Sequence, residues 1–221
     1  MKRIFTLGLG AILLATLAFG GYCYSATGSP EYALEQAAEA FLQRDEMAFL
    51  RFVNEDKLIE SAYDEGAMEL AQNIAALRAR YPDDFFFHHD TSFMLAYTKE
   101  HRPAALRLIR GAKQAYFTAS RPAATIEENP ATWLSGEIEK FCRSAKGECV
   151  KLEEREGKAY ADIRLTGDDT EYGQMADGLT FRLEVEKVAG DWQIVRVANV
   201  DELLFPVTDS AERFWTVQGW Q

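Results

Sequence analysis

The chain has 221 residues, with 24 Lys and Arg residues against 35 Asp and Glu residues, which gives a formal net charge of -11. This length accommodates one or two domains, and a composition of 48% hydrophobic and 27% charged residues is that of an ordinary globular protein. Because nucleic-acid binding requires clustered Lys and Arg to neutralise phosphates, the acidic balance argues against a nucleic-acid partner.

The first 28 residues differ from the rest of the chain. Lys2 and Arg3 precede an uncharged, mostly apolar run from Ile4 to Tyr22, an order typical of a signal peptide or an uncleaved membrane anchor. We therefore expect residues 1–28 to direct export to the cell envelope. The protein is then either secreted or tethered to the cytoplasmic membrane by residues 4–22. Cys23 suggests lipid attachment, but the bulky Tyr22 argues against it.

Helical periodicity dominates the first part of the remaining chain. Ser29 before Pro30 predicts the start of one helix, Asp45 caps a second, and Asn54 caps a third that runs to about Arg80. Two further helices are predicted near residues 92–99 and 103–120, because Pro103 separates them. One more follows Asn129-Pro130.

From Gly147 onward the hydrophobic period becomes that of strands. Apolar residues alternate with polar ones, and the pairs Glu156-Gly157 and Ala189-Gly190 predict turns. Ile194-Val195 breaks the alternation, which indicates either a bulge or a strand covered on both sides. A short helical turn, 200–205, is expected to end at Pro206.

These patterns predict a single α+β domain over residues 29–221. Its N-terminal helices, within 29–146, pack on one face of a four-stranded antiparallel meander, 147–199, and a tail follows from 200 to 221. Cys142 and Cys149 are close enough in sequence for a disulfide, which would contribute about 2.5 kcal/mol in an oxidising compartment.

Three segments of the domain carry a family resemblance: SPEYALEQAAEAFLQRDEMAFLRFVNEDKLIESAYDE, EREGKAYADIRL and LTFRLEVEKVAGDWQIVRVANVDELL. They resemble an uncharacterised family of exported bacterial proteins, which is similar in turn to the cone-shaped, cystatin-like superfamily typified by nuclear transport factor 2. The resemblance covers residues 29–65 and 147–205. It implies a cone-like fold and an envelope location, and it brings no assigned chemistry.

Few polar residues stand out as candidates for a site. Arg196 is the polar exception in the last strands, and with Trp192 it could bind an anionic ligand between helix and sheet; the alternative is an outward arginine on a solvated face. His88 and Asp90 could share a metal ion, because alternate residues of an extended chain point the same way. The alternative is a polar turn after an aromatic patch, and we expect neither a metal nor a cofactor.

Two further segments could contact a partner. Phe214, Trp215 and Trp220 place three aromatic residues in the tail, which either folds back onto the domain or presents an apolar peptide to a partner. A basic stretch, 102–113, either faces a membrane surface or acidic partner, or forms the solvated side of a helix.

The sequence contains no nucleophile elbow and no phosphate-binding glycine loop. We therefore expect an exported, non-catalytic binding or adaptor domain whose partner is an envelope protein or a small ligand. One alternative is a ligand-binding or hydrolytic cone with a pocket between helix and sheet. Another is a structural envelope protein, which docking of the tail into its own domain would favour.

Overall fold

Helices come first along the chain and strands second, as the change of period predicts. The computed structural model describes residues 28–219. The elements before the sheet are α1 Pro30–Gln43, α2 Glu46–Phe52, α3 Glu55–Gln72, α4 Ile74–Arg80, a 3₁₀ turn Phe85–His88, α5 Thr91–Phe117 and α6 Pro130–Ser144.

The predicted N-terminal caps are confirmed. The backbone N–H of Tyr32 donates to Ser29 Oγ at 3.2 Å, and the side chains of Asp45 and Asn54 accept in the same way at α2 and α3. Each cap satisfies a donor that has no partner inside its helix, which fixes where the helix begins.

Two helix boundaries were predicted wrongly. The helix expected from Asn54 to Arg80 is broken at Asn73 into α3 and α4. Conversely, α5 runs through Pro103 without ending. Proline removes one backbone hydrogen bond, but Leu106 and Ile109 beyond it are buried, and their packing holds the second half of the helix in line.

The four strands form the predicted antiparallel meander in the order β1-β2-β3-β4. Their bounds are β1 Ala145–Arg155, β2 Lys158–Gly167, β3 Thr180–Val188 and β4 Asp191–Val197. Both predicted hairpin turns use backbone with positive φ, at Glu156-Gly157 (56° and 77°) and at Ala189-Gly190 (53° and 100°). The β2–β3 connection contains a short helix, α7 Glu171–Ala176.

One face of the sheet is apolar and lies in the main core with α1, α2, α3, α5 and α6. Phe181, Leu183 and Val185 of β3 are buried there, whereas Arg182 and Glu186 lie on the polar face. Between β3 and β4, Glu184 pairs with Arg196 and Val185 pairs with Ile194, so Val195 is an extra residue in β4. The bulge, one of the two interpretations of Ile194-Val195, is therefore confirmed.

The last helix is longer than predicted. α8 spans Val200–Val217 and includes Pro206, where the sequence indicated an end. Val207, Ala211 and Phe214 beyond the proline are all buried, so packing again outweighs the loss of one hydrogen bond. Leu204 of α8 lies in a second, smaller core cluster with Leu70, Ala71, Ile74, Leu77, Phe87 and Met94.

The leader lies outside the described residues, and so does Cys23. Among residues 28–219, none of the helices combines the length and the apolar character needed to cross a bilayer.

Candidate binding surface

The two predicted ligand-binding residues lie on opposite faces of β4. Trp192 is buried in the main core, with Lys187 Nζ 5.1 Å from its ring centroid. Arg196 lies on the polar face, where Nε and Nη2 donate to the Glu65 carboxylate at 2.6 and 3.0 Å. Because a bulge residue separates them, the two side chains do not line one site.

The charge of Arg196 is matched within the domain. Its Nη1 also lies 3.4 Å from Glu184 Oε2, and Glu184 is only 4% exposed. Lys158 pairs with the other oxygen of Glu184 and with Glu186. An anionic ligand would have to displace Glu65 to reach the guanidinium, so the geometry does not favour the predicted anion site.

The predicted partner-binding tail is folded back in the part of it that the structure describes. Phe214 and Trp215 are buried in the main core, and the Phe214 ring lies 6.2 Å from both Phe141 and Trp133. These two residues therefore follow the folded-back alternative, and their burial does not favour a role in partner binding. Trp220 lies outside the described residues.

The predicted disulfide is absent from residues 28–219. Cys142 is a free cysteine near Glu139, Arg44 and Tyr116, and its burial raises the pKa of its thiol to about 12. Cys149 Sγ instead lies 3.5 Å from the Lys151 carbonyl oxygen. Cys142 lies on α6, whereas Cys149 lies on β1, which begins directly after that helix.

His88 and Asp90 are engaged separately. His88 Nε2 lies 2.7 Å from the Pro82 carbonyl oxygen, and Asp90 caps α5 by accepting from the Phe93 N–H at 2.8 Å. No group of three or more His, Cys, Asp or Glu side chains within residues 28–219 has the arrangement to hold a metal ion.

The basic stretch on α5 faces α3 and is paired with its carboxylates. Arg102 contacts Asp64 at 2.6 Å and Arg110 contacts Asp56 at 2.7 Å, while Glu60 accepts from both arginines. These contacts occupy the charges of Arg102 and Arg110 inside the domain, whereas Arg107 of the same stretch is exposed.

A row of stacked rings on the surface was not predicted. Phe93, Tyr97 and His101 follow one another at four-residue spacing on one side of α5, and His89, four residues before Phe93, lies just before this helix begins. The ring centroids of successive members are 3.8, 5.9 and 4.0 Å apart, with interplanar angles of 17° to 23°. Together with Phe85 and His88 of the preceding 3₁₀ turn, we call this the aromatic–histidine row.

The row is partly exposed and includes every histidine of the chain. Phe85 is 73% exposed and Phe93 is 37% exposed. His88 and His89 both contact the Phe85 ring, at 5.9 and 5.7 Å. The sequence has three histidines, so all of them lie on this surface.

The aromatic–histidine row rests on a fixed base. Phe87 and Met94 are buried in the second core cluster directly beneath it. Arg78 of α4 donates to the carbonyl oxygens of Phe87 and His89 at 3.0 and 2.8 Å, which holds the 3₁₀ turn against the helix start. The exposed rings are therefore presented by an ordered backbone.

A buried polar cluster joins α6, α7 and the end of α8. Glu137 is buried, and it accepts from Tyr172 Oη at 2.5 Å and from Lys140 Nζ at 2.8 Å; Gln218 Nε2 donates to the same Tyr172 oxygen at 3.1 Å. Burial strongly raises the pKa of Tyr172, which keeps its hydroxyl protonated as a donor. Tyrosine and lysine beside a carboxylate can transfer protons, but here every group is engaged within the domain, and the cluster fastens the C-terminal helix.

The spacing of the rings could have revealed the aromatic–histidine row from sequence. The predicted helix ended at Lys99, which separated His101 from Phe93 and Tyr97 and hid the four-residue repeat. No sequence pattern indicated the Glu137 cluster, because its members come from three elements.

Comparison with known proteins identifies no relative: no family model, no curated protein and no solved structure matches the chain. The resemblance to exported bacterial proteins stays a prediction.

Proposed function

We propose that this chain is an exported, non-catalytic binding domain of the cell envelope that holds a partner protein at the aromatic–histidine row. The observation that carries the proposal is the exposure of Phe85 and Phe93 on an ordered base. Exposed aromatic rings on a fixed backbone are typical anchors of protein interfaces. Export is proposed from the basic start and apolar run of the first 22 residues.

The chemistry of the surface favours a protein over other partners. A net charge of -11 opposes both nucleic acid and anionic lipid. The rings of His89, Phe93, Tyr97 and His101 stack on one another, so the faces between successive rings are covered. Sugars and bases stack on open faces, whereas an apolar protein segment packs against edges as well.

Photo-cross-linking in the source cells tests this proposal. A photoreactive amino acid replaces Phe93 or His88 in the row, and Met47, which is 87% exposed on α2, serves as the control position. We expect a discrete protein adduct from the two row positions, and its loss when Phe85→Asp is added. Equal adducts from Met47, or no adduct from the row, would contradict the proposal.

A structural role in the envelope is the second candidate, and the docked tail favours it. Phe214 and Trp215 close the core of their own domain, which is the behaviour expected of a structural protein. A Phe85→Asp, Phe93→Asp double variant separates the two functions. If it replaces the wild type fully in cells lacking the protein, the structural role is favoured; if it folds but fails to replace it, the binding function is.

A further inference from the structure

β1 is an open edge of the sheet. In the order β1-β2-β3-β4, the other edge strand is partly closed: the Asn54 N–H donates to the Ile194 carbonyl at 2.9 Å, and Val53 bridges to Ile194. In the described part of the chain, residues 146–148 and 150–155 form no backbone–backbone hydrogen bond outside the β1–β2 ladder. A strand of 11 residues, about 36 Å long, is thus available for pairing.

A bulge sets which side chains share a face of β1. Cys149 pairs with Ile163 and Lys151 with Asp162, so Val150 has no partner position on β2. Before the bulge, Lys146 and Glu148 lie on the polar face; after it, Lys151 and Glu153 do. All four are exposed, so charges of alternating sign follow one another along the open edge. Within one copy, Lys151 Nζ lies 2.8 Å from Glu153 Oε1, and both side chains remain exposed enough to reach a second strand.

We propose that two copies of this chain pair through antiparallel β1 strands around a two-fold axis between Cys149 and Val150. This register places Lys146 opposite Glu153 of the second copy, and Glu148 opposite Lys151 of the second copy. Symmetry repeats both contacts, so four ion pairs form along the polar face. The two sheets become one continuous eight-stranded sheet.

The charge order selects this register. Sliding the strands by two residues one way places Glu148 opposite Glu153, and sliding them the other way places Lys146 opposite Lys151. Both alternatives set like charges against each other, which is destabilising. The bulges also match in this register, because Cys149 and Val150 of one strand lie opposite the same two residues of the other strand.

Charge reversal tests the proposal. All variants keep the full chain and are compared in the same detergent, so that any effect of residues 1–28 on association is the same for each. The dimer dissociation constant is measured by sedimentation. We expect Lys146→Glu with Lys151→Glu to raise it at least about tenfold, because four attractive contacts become repulsive. Adding Glu148→Lys and Glu153→Lys should restore the wild-type value. Since all four side chains are exposed, circular dichroism should show every variant folded. A chain that stays monomeric, or a half-reversed variant that associates as tightly as the wild type, overturns the proposal.

Disulfide trapping tests the register independently. With the natural cysteines replaced by serine, Lys146→Cys with Glu153→Cys should give a covalent dimer on mild oxidation. These positions are seven residues apart on one extended strand, too far to bridge within a chain. The matched control is Glu148→Cys with Glu153→Cys. These two positions on different copies lie opposite each other only if the strands slide by two residues. Failure of the first pair to cross-link, or equal cross-linking by both, contradicts the pairing.

Discussion

Arg196 on β4 donates two hydrogen bonds to Glu65 on α3, although the residues are 131 positions apart in sequence. Glu184, buried beside them on β3, depends on Arg196 and Lys158 for its compensating charges. This arrangement joins α3 to the polar face of the sheet.

Replacing Arg196 should destabilise the fold through Glu184. We expect Arg196→Ala to lower the free energy of unfolding by about 1 to 2 kcal/mol, because a buried carboxylate loses one of two cations. Urea denaturation at pH 7 measures this change. Arg51→Ala, which breaks the exposed Arg51–Asp191 pair, is the control and should have little effect. Equal effects of both substitutions would show that the Arg196 contacts are no stronger than a surface ion pair.

Lys113 on α5 is a buried cation held by two carboxylates. It is 6% exposed, and its Nζ lies 2.6 Å from Glu46 Oε1 and 2.7 Å from Glu55 Oε2. Lys113→Met leaves both carboxylates close together without a counter-charge, and we expect a loss of about 2 to 3 kcal/mol in denaturant unfolding. Adding Glu46→Gln and Glu55→Gln should recover much of this loss. No recovery would mean that the lysine stem, rather than its charge, provides the stability.

Glu212 on α8 should make stability depend on pH. Burial first, and then the neighbouring Asp84, raise the pKa of Glu212 to about 7, so the folded state keeps a proton that the unfolded chain releases near 4.5. The carboxylate of Asp209, which Arg80 and Tyr81 bind, also raises the pKa of Glu212. Arg213 of α8 acts on Asp209 and lowers the pKa of that residue. The stabilisation is complete below about pH 4.5 and is lost as the pH rises through 7.

The measurement for Glu212 is urea denaturation from pH 5 to pH 8. Relative to Glu212→Gln, the wild type should lose on the order of 1 to 2 kcal/mol over this range, after allowance for solvent screening. The loop substitution Glu127→Gln is the control and should leave the slope unchanged. Parallel pH curves for wild type and Glu212→Gln would refute the prediction.

Phe214 should contribute to the stability of the fold. Phe214→Ala removes a buried ring that contacts Phe141, Tyr172 and Trp215, and we expect a loss of about 3 kcal/mol. Thermal unfolding followed by circular dichroism measures it, with the exposed Thr216→Ala on the same helix as the control. An unchanged melting temperature for Phe214→Ala would indicate that the tail does not dock.

The Cys142 thiol should be unreactive in the native protein. With its pKa raised to about 12, about one thiol in ten thousand is ionised at pH 8. We expect iodoacetamide to modify Cys142 only after unfolding, as peptide mass spectrometry would show. Detection of a Cys142–Cys149 disulfide peptide, in protein exposed to a mild oxidant, would contradict this prediction.

Local sequence signals predicted the elements whose determinants are local. Ser29, Asp45 and Asn54 cap helices because their side chains bond to backbone three residues away. The Glu156-Gly157 turn and the alternation of β3 are equally local. Pro103 and Pro206 misled the prediction because the cost of proline is local, whereas the packing that outweighs it comes from distant residues.

The candidate sites were harder to predict for the same reason. Strict alternation from Trp192 and Ile194 would place Arg196 on the core face, and only the bulge at Val195 turns it to the polar face. Nothing near Arg196 in sequence points to Glu65. The aromatic–histidine row required α5 to be recognised as one helix through Pro103. The burial of Trp215 required a helix where Pro206 suggested an end.

The contact between the first helices and the last strand bears on when this chain can fold. Asn54 and Gln193, 139 positions apart, meet through their side chains, and Leu34 of α1 shares its core with Val197 of β4. The apolar side of α1 therefore has no complete cover until nearly the whole chain has been synthesised. Contacts of such long range make folding slow and favour completion only after release of the C-terminus. A chain that folds late remains unfolded for longer after synthesis begins, and that is the state in which a polypeptide can be threaded through a narrow channel.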